Sequence, residues 1–165
     1  MNLQLLAQMN TELVAASAAE WTALAGGIAG AGDQLVRGRQ EVEDAWRSGT
    51  AAEAARQRAT VLVTEVSAAE PPCRQIGVAL QQHADTARAL QVSLQQIVAA
   101  ATGQGLIVNL AAGTVFAPAA VVSVFGAAAG AQLVAVYTAQ LQALLAQAVA
   151  LDARTAGVLG ANQPR

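Results

Sequence analysis

Val42-Glu43-Asp44-Ala45-Trp46-Arg47-Ser48-Gly49-Thr50-Ala51-Ala52-Glu53 is the stretch on which the reading of the fold turns. Gly49 suits the left-handed conformation that closes a helix, and Thr50 with Glu53 three residues later is a capping-box pattern that opens the next one. One helix stops here and another starts. Upstream, Val14, Trp21, Ile28, Leu35 and Val42 recur every seven positions, with Ser17, Leu24, Ala31, Gly38 and Ala45 at the companion positions between them. That spacing predicts one long amphipathic helix from Thr11 to Trp46, packed along a seam of alternating large and small residues. Gly26, Gly27, Gly30 and Gly32 each cost about 1 kcal/mol relative to Ala in a helix interior, so a kink or a tight helix contact is predicted there.

Downstream, Leu62, Val66, Ala69, Cys73, Ile76, Leu80, His83, Ala87, Leu90, Leu94, Ile97 and Ala101 alternate four and three apart, a second heptad seam. Pro71-Pro72 falls inside it while the phase survives on both sides, which predicts a kink or a restarted helix and no reversal of the chain. Two such helices joined at a short turn make an antiparallel hairpin, each roughly 50 Å long or more at 1.5 Å per residue. Past Thr102, β-branched pairs flank a glycine-containing turn, predicting a short β-hairpin insertion near 105–117. Tyr137, Leu141, Leu144, Ala148, Leu151 and Val158 keep a 3.5-residue rhythm in a last helix that packs back on the hairpin. The predicted fold is all-α, one domain over residues 1–160 with a frayed tail at 161–165.

Composition agrees with helix and excludes several functions. Of 165 residues, 42 are alanine, only five are aromatic and 12% are charged. Lysine is absent, and nine arginines against eleven acids leave a net charge of −2, so no basic face is available to hold nucleic acid. One Cys and one His make neither a disulfide framework nor an all-protein zinc site. Met1-Asn2-Leu3-Gln4 lacks the basic segment of a secretory signal, and Glu12 sits where such a signal keeps its apolar core, which argues against export by the general secretory route.

Chemistry-bearing patterns are few. No phosphate-cradling GxxxxGK loop exists without lysine, Gly103-x-Gly105 lacks a third glycine, and no cofactor is predicted. His83 lies next to Asp85 on the second seam, but Cys73 is ten residues away, beyond hydrogen-bond reach along one helix, so His83 is read as packing against the first helix. Arg37, Arg39, Glu41, Glu43 and Asp44 form a mixed charge cluster on outer helix faces, read as a solvated surface with a partner contact as the alternative.

Ala89 to Leu151 contains no charged side chain. Within it Val115 to Val136 holds Gly126-x-x-x-Gly130, a spacing that lets membrane helices approach, so the alternative function is a small envelope protein anchored by one transmembrane helix at about 115–136. Against that stand Pro118 and Gln132 inside the stretch, and the distance to the nearest arginines, Arg88 and Arg154.

The segment around Trp46 resembles the Trp-x-Gly turn of the WXG family of type VII (ESX) secretion substrates. The order of Trp21 and Leu24, the Trp46 turn, the seam from Leu80 to Ala101, the Gly105–Val115 hairpin and the Leu141–Asp152 helix is similar to the extended WXG-like helical domain that precedes effector domains in mycobacteria and other actinobacteria. Two departures stand out: Ser48 occupies the place of the motif's glycine, with Gly49 one residue later, and Tyr137 is followed four residues on by Leu141 where the family's export signal has an acid. The resemblance implies a non-enzymatic interaction domain without catalytic residues or cofactors, secreted or held at the cell envelope by type VII secretion. Trp46, Ser48, Gly49 and Tyr137 would then be the recognition residues. Trp21, Ile28, Leu35, Val42, Leu80 and Leu94 would pack the helix seam. The implied partner is a WXG-like chain, an effector domain, the secretion machinery or a second copy, with export carried by a paired chain. The membrane alternative places the protein in a membrane or the cytoplasm.

Overall fold

The computed structural model describes residues 2–162. Along them run α1 (Leu3–Gln8), α2 (Thr11–Ala45), α3 (Thr50–Gly103), β1 (Ile107–Asn109), β2 (Thr114–Phe116), α4 (Ala119–Phe125) and α5 (Ala127–Ala161). The long helices, the turn between them and the β-hairpin insertion all lie where the sequence predicts. The short α1 does not appear in the heptad pattern. It is set off by two asparagines, since Asn2 Oδ1 accepts from the Leu5 amide at 2.7 Å and Asn10 Oδ1 accepts from the amides of Glu12 and Leu13 at 3.1 Å.

The α2–α3 turn differs from the predicted capping box. Trp46 N–H closes α2 on the Val42 carbonyl at 2.9 Å, and Gly49, at φ +109°, presents the carbonyl that accepts from Glu53 N–H at 3.1 Å. Gly49 is thus the residue that opens α3, Thr50 already lies inside the helix, and the Glu53 carboxylate pairs with Arg56 at 3.1 Å. Further on, α3 is unbroken across Pro71–Pro72, so no restart occurs. The two prolines withdraw N–H donors from the carbonyls of Ser67 and Ala68, both exposed, where solvent takes over those bonds.

The chain divides into two compact units. The first joins residues up to Val14 to Gln82–Gly157. Its core is of ordinary bulk: Leu3 and Leu6 from α1, Leu90 and Leu94 from α3, Leu106 and Val115 from the hairpin, Val121 from α4, and Leu141, Leu144 and Leu151 from α5. Part-buried amide contacts tie the pieces together. Gln91 donates to the carbonyls of Leu6 and Met9 at 2.9 and 2.8 Å, and Gln142 donates to the Gly113 carbonyl at 3.2 Å. In the hairpin Val108 faces Val115 across the strands, and Ile107 faces Phe116. His83, 8% exposed, meets α5, where its Nδ1 lies 2.9 Å from Thr155 Oγ1. The same hydroxyl lies 3.2 Å from the Leu151 carbonyl, its acceptor one turn back on α5.

The second unit holds Ala15–Gln81 and the chain from Val158 on. Here α2 and the first half of α3 run antiparallel, but the seam of α2 is not the predicted one. The buried positions are Ala18, Ala25 and Gly32, with Trp21 and Ile28 half-buried beside them. The companion row therefore lies one residue later than Ser17, Leu24 and Ala31, because the small side chains are the ones that let a second backbone come close. Nor is the tight contact at Gly26, Gly27 or Gly30, where an added Cβ would meet nothing within 4 Å. It is at Gly77 of α3, where a Cβ would stand 2.7 Å from Thr22 Oγ1 and 3.1 Å from the Ala18 carbonyl. Leu80 is half-buried, and Leu94, in the first unit, is buried.

Two further expectations are corrected. Val115–Val136 is not one helix: β2 ends at Phe116, Pro118 precedes α4, and Gly126, at φ +84°, separates α4 from α5. At the C-terminus α5 continues to Ala161, with Asn162 donating to the Val158 carbonyl at 2.8 Å, and residues 163–165 of the predicted tail lie outside the described residues.

The glycines give a direct check. Gly27→Ala is expected to raise stability by about 1 kcal/mol through helix propensity alone. Gly77→Ala is expected to lower it despite the same propensity gain, because its Cβ meets backbone; urea unfolding followed by circular dichroism measures both.

Candidate docking surface

Near the α2–α3 turn the two helices leave a furrow of about 360 Å³ between them. Small residues open it, since Gly38 on α2 and Ala55 and Ala59 on α3 put no bulk between the backbones. Leu35 and Val42 line it from α2 and Leu62 from α3. Leu35 and Val42, which the heptad pattern assigns to a buried seam, are 36% and 44% exposed as walls of this opening. Gln34 and Arg39 from α2 and Arg56 from α3 complete it.

The predicted recognition residues fall in different places. Trp46, one turn beyond Val42, is 48% exposed, and the Arg47 side chain folds back to donate to the Asp44 carbonyl at 3.2 Å. Ser48 and Gly49 are exposed in the turn. Tyr137 belongs to the other unit, half-buried against its leucine core. The charge cluster of α2 contributes an Arg39–Glu43 ion pair at 3.5 Å. Arg56, which no sequence pattern singles out, enters the furrow because α3 starts at Thr50 and carries it round to face α2.

The other unit has a cavity of about 260 Å³ lined by Ala7, Gln91, Leu94, Gln95, Val98, Ala99 and Leu110, with no titratable side chain among them. Among the described residues no three His, Cys, Asp or Glu side chains gather as a metal site would require.

No known family model matches the chain, nor does any curated protein or solved structure.

A ring half in solvent is worth less to the fold than a buried one. Trp46→Ala is expected to cost under about 2 kcal/mol in chemical unfolding, against about 3–5 kcal/mol for a fully buried aromatic. A loss in that higher range would show that the ring is a core residue at the hairpin tip.

Proposed function

We propose that this chain is a helical interaction protein, resembling type VII secretion substrates and their partners, whose α2–α3 hairpin is bound near Trp46 by a second helical chain. The observation that carries this is the open furrow: its apolar walls Leu35, Val42 and Leu62 and the neighbouring Trp46 all stand substantially in solvent. Large apolar side chains left exposed together favour a covering surface, and a furrow between two helices suits a third helix laid into it. In this reading the partner covers what the Ala-rich hairpin does not cover itself. Gly38→Leu tests it, since an added Cβ at Gly38 meets nothing within 4 Å and the larger side chain projects into the opening. The variant is expected to fold at least as stably as the wild type and to lose its partner in co-purification from the native host. Unchanged co-purification would remove the furrow from the interface. Export is followed separately, by detecting the protein in culture filtrate with and without the type VII secretion ATPases.

Membrane attachment is the second reading, and it too has a specific observation behind it. Two helices, Thr11–Ala45 and Ala127–Ala161, are long and apolar enough to cross a membrane. In the second, Ala127 to Leu151 is free of charge for 25 residues, above the ~20 that a span needs. The candidate anchor thus moves from 115–136 into α5. Its inner face, Leu141, Leu144, Ala148 and Leu151, is buried in the first unit's core, so spanning would require α5 to leave that core. Alkaline carbonate separates the readings: release from washed membranes is expected for the interaction protein, and release by detergent alone would make α5 an anchor.

A further inference from the structure

We propose that one end of the first unit is a bilayer-contacting surface, at which Ile107 and Phe116 of the β-hairpin and Val124 and Phe125 of α4 enter the interface of a membrane whose lipids carry no net charge. The proposal does not depend on the furrow of the other unit, and unlike a membrane span it leaves α5 in its core.

The hairpin shows the anomaly first. Val108 and Val115 pair on the side packed against the core, so the neighbouring pair, Ile107 and Phe116, points to the other side, where a solvent-facing position ordinarily carries polar residues. These two apolar side chains are instead 57% and 55% exposed. The short helix α4 repeats the pattern. Val121 is buried, and a Cβ at Gly105 would stand 2.9 Å from its Cγ2, which seats α4 against the approach to the hairpin. One turn on, Val124 and Phe125 continue the same helix face beyond the core, 76% and 49% exposed, before Gly126 ends the helix. Both phenylalanines of the chain therefore stand substantially in solvent on neighbouring elements.

Charge decides what covers them. In the first unit the charged side chains are Glu12, Asp85, Arg88, Asp152 and Arg154. The contact between His83 and Thr155 gathers the members on α3 and α5 at one end. From Arg88 to its last residue, Gly103, α3 then runs about 20 Å without another charge. The hairpin, α4 and α5 as far as Leu151 are equally uncharged. A protein partner requires no such clearance, since protein interfaces are rimmed by polar groups and enriched in arginine, whereas hydrocarbon disfavours charge throughout the depth that is inserted. The same distribution specifies the lipid. With no lysine or arginine near the exposed side chains, contact draws on apolar burial and gains nothing from anionic headgroups.

The test is flotation of the full chain with phosphatidylcholine vesicles. The chain is expected to float with them equally at low and high salt, and no better when part of the lipid is phosphatidylglycerol. F116S/F125S is expected to lower partitioning about tenfold or more, the scale of losing two partly exposed rings from the contact. Val149→Ser removes an equally exposed apolar side chain near the charged end and is expected to leave partitioning unchanged. Absence of flotation overturns the proposal, as does flotation that needs phosphatidylglycerol and disappears at high salt. A loss with Val149→Ser as large as that with F116S/F125S overturns it too, because the contact is then not confined to this end. A dimer in sedimentation equilibrium that F116S/F125S dissolves assigns the surface to a second copy of the chain and also overturns the proposal. Circular dichroism verifies that each variant keeps its helicity; should F116S/F125S lose it, I107S/V124S carries the same expectation.

Discussion

The contact between Gly77 and the backbone of α2 at Ala18 and Thr22 is the constraint from which the hairpin unit follows. A helix whose inward positions are Ala18, Ala25 and Gly32 offers little side-chain bulk to bury. It gains dispersion and apolar burial only if the facing helix comes near enough to touch its main chain, and a residue without Cβ at 77 permits that approach. The first unit solves the same problem by ordinary means, with leucines from α1, α3 and α5 filling the space between helices. One continuous helix, α3, thus takes part in two kinds of packing, small-residue contact in its first half and leucine interdigitation in its second.

Close packing through small residues has a consequence farther along the hairpin. Where Gly38 faces Ala55 and Ala59, no large side chain bridges the helices, and the larger residues Leu35, Val42 and Leu62 stand beside the gap instead of filling it. The furrow is what an alanine-rich hairpin leaves when its bulk sits on the flanks of the seam. Arg39 and Arg56 are drawn into the same opening by their helical phase, which encloses part of each guanidinium without supplying acceptors for both Nε–H groups. A slot whose apolar walls stand in solvent is a poor free surface and a serviceable docking surface, and this is the physical content of the proposed interaction.

Polar side chains do comparable work in the first unit. Gln91 reaches two carbonyls at the end of α1 and so holds a helix too short to persist alone, while His83 and Thr155 join α3 to α5 through a single directed hydrogen bond. These contacts add directed hydrogen bonds to a core that is otherwise packed by leucines.

Periodicity and turn chemistry in the sequence determined the helices, the stop at Trp46, the start near Thr50 and the hairpin near 105–117, because 3.5-residue spacing and glycine at turn positions are local properties of the chain. The second seam from Cys73 to Ala101 and the rhythm of the last helix were legible for the same reason, being rows of bulky residues. The seam of α2 was not. A heptad row such as Val14, Trp21, Ile28, Leu35 and Val42 marks the stripe that faces a partner, but which small residues beside it lie at closest approach depends on where the facing helix presents its own gap, and only the tertiary structure placed Gly77 there. The same holds for the site. Trp46 and Gly49 announce a turn in the sequence, whereas Arg56 carries no local signal, and its place beside the furrow that Arg39 also lines arises from the register of two helices that the chain brings together only on folding.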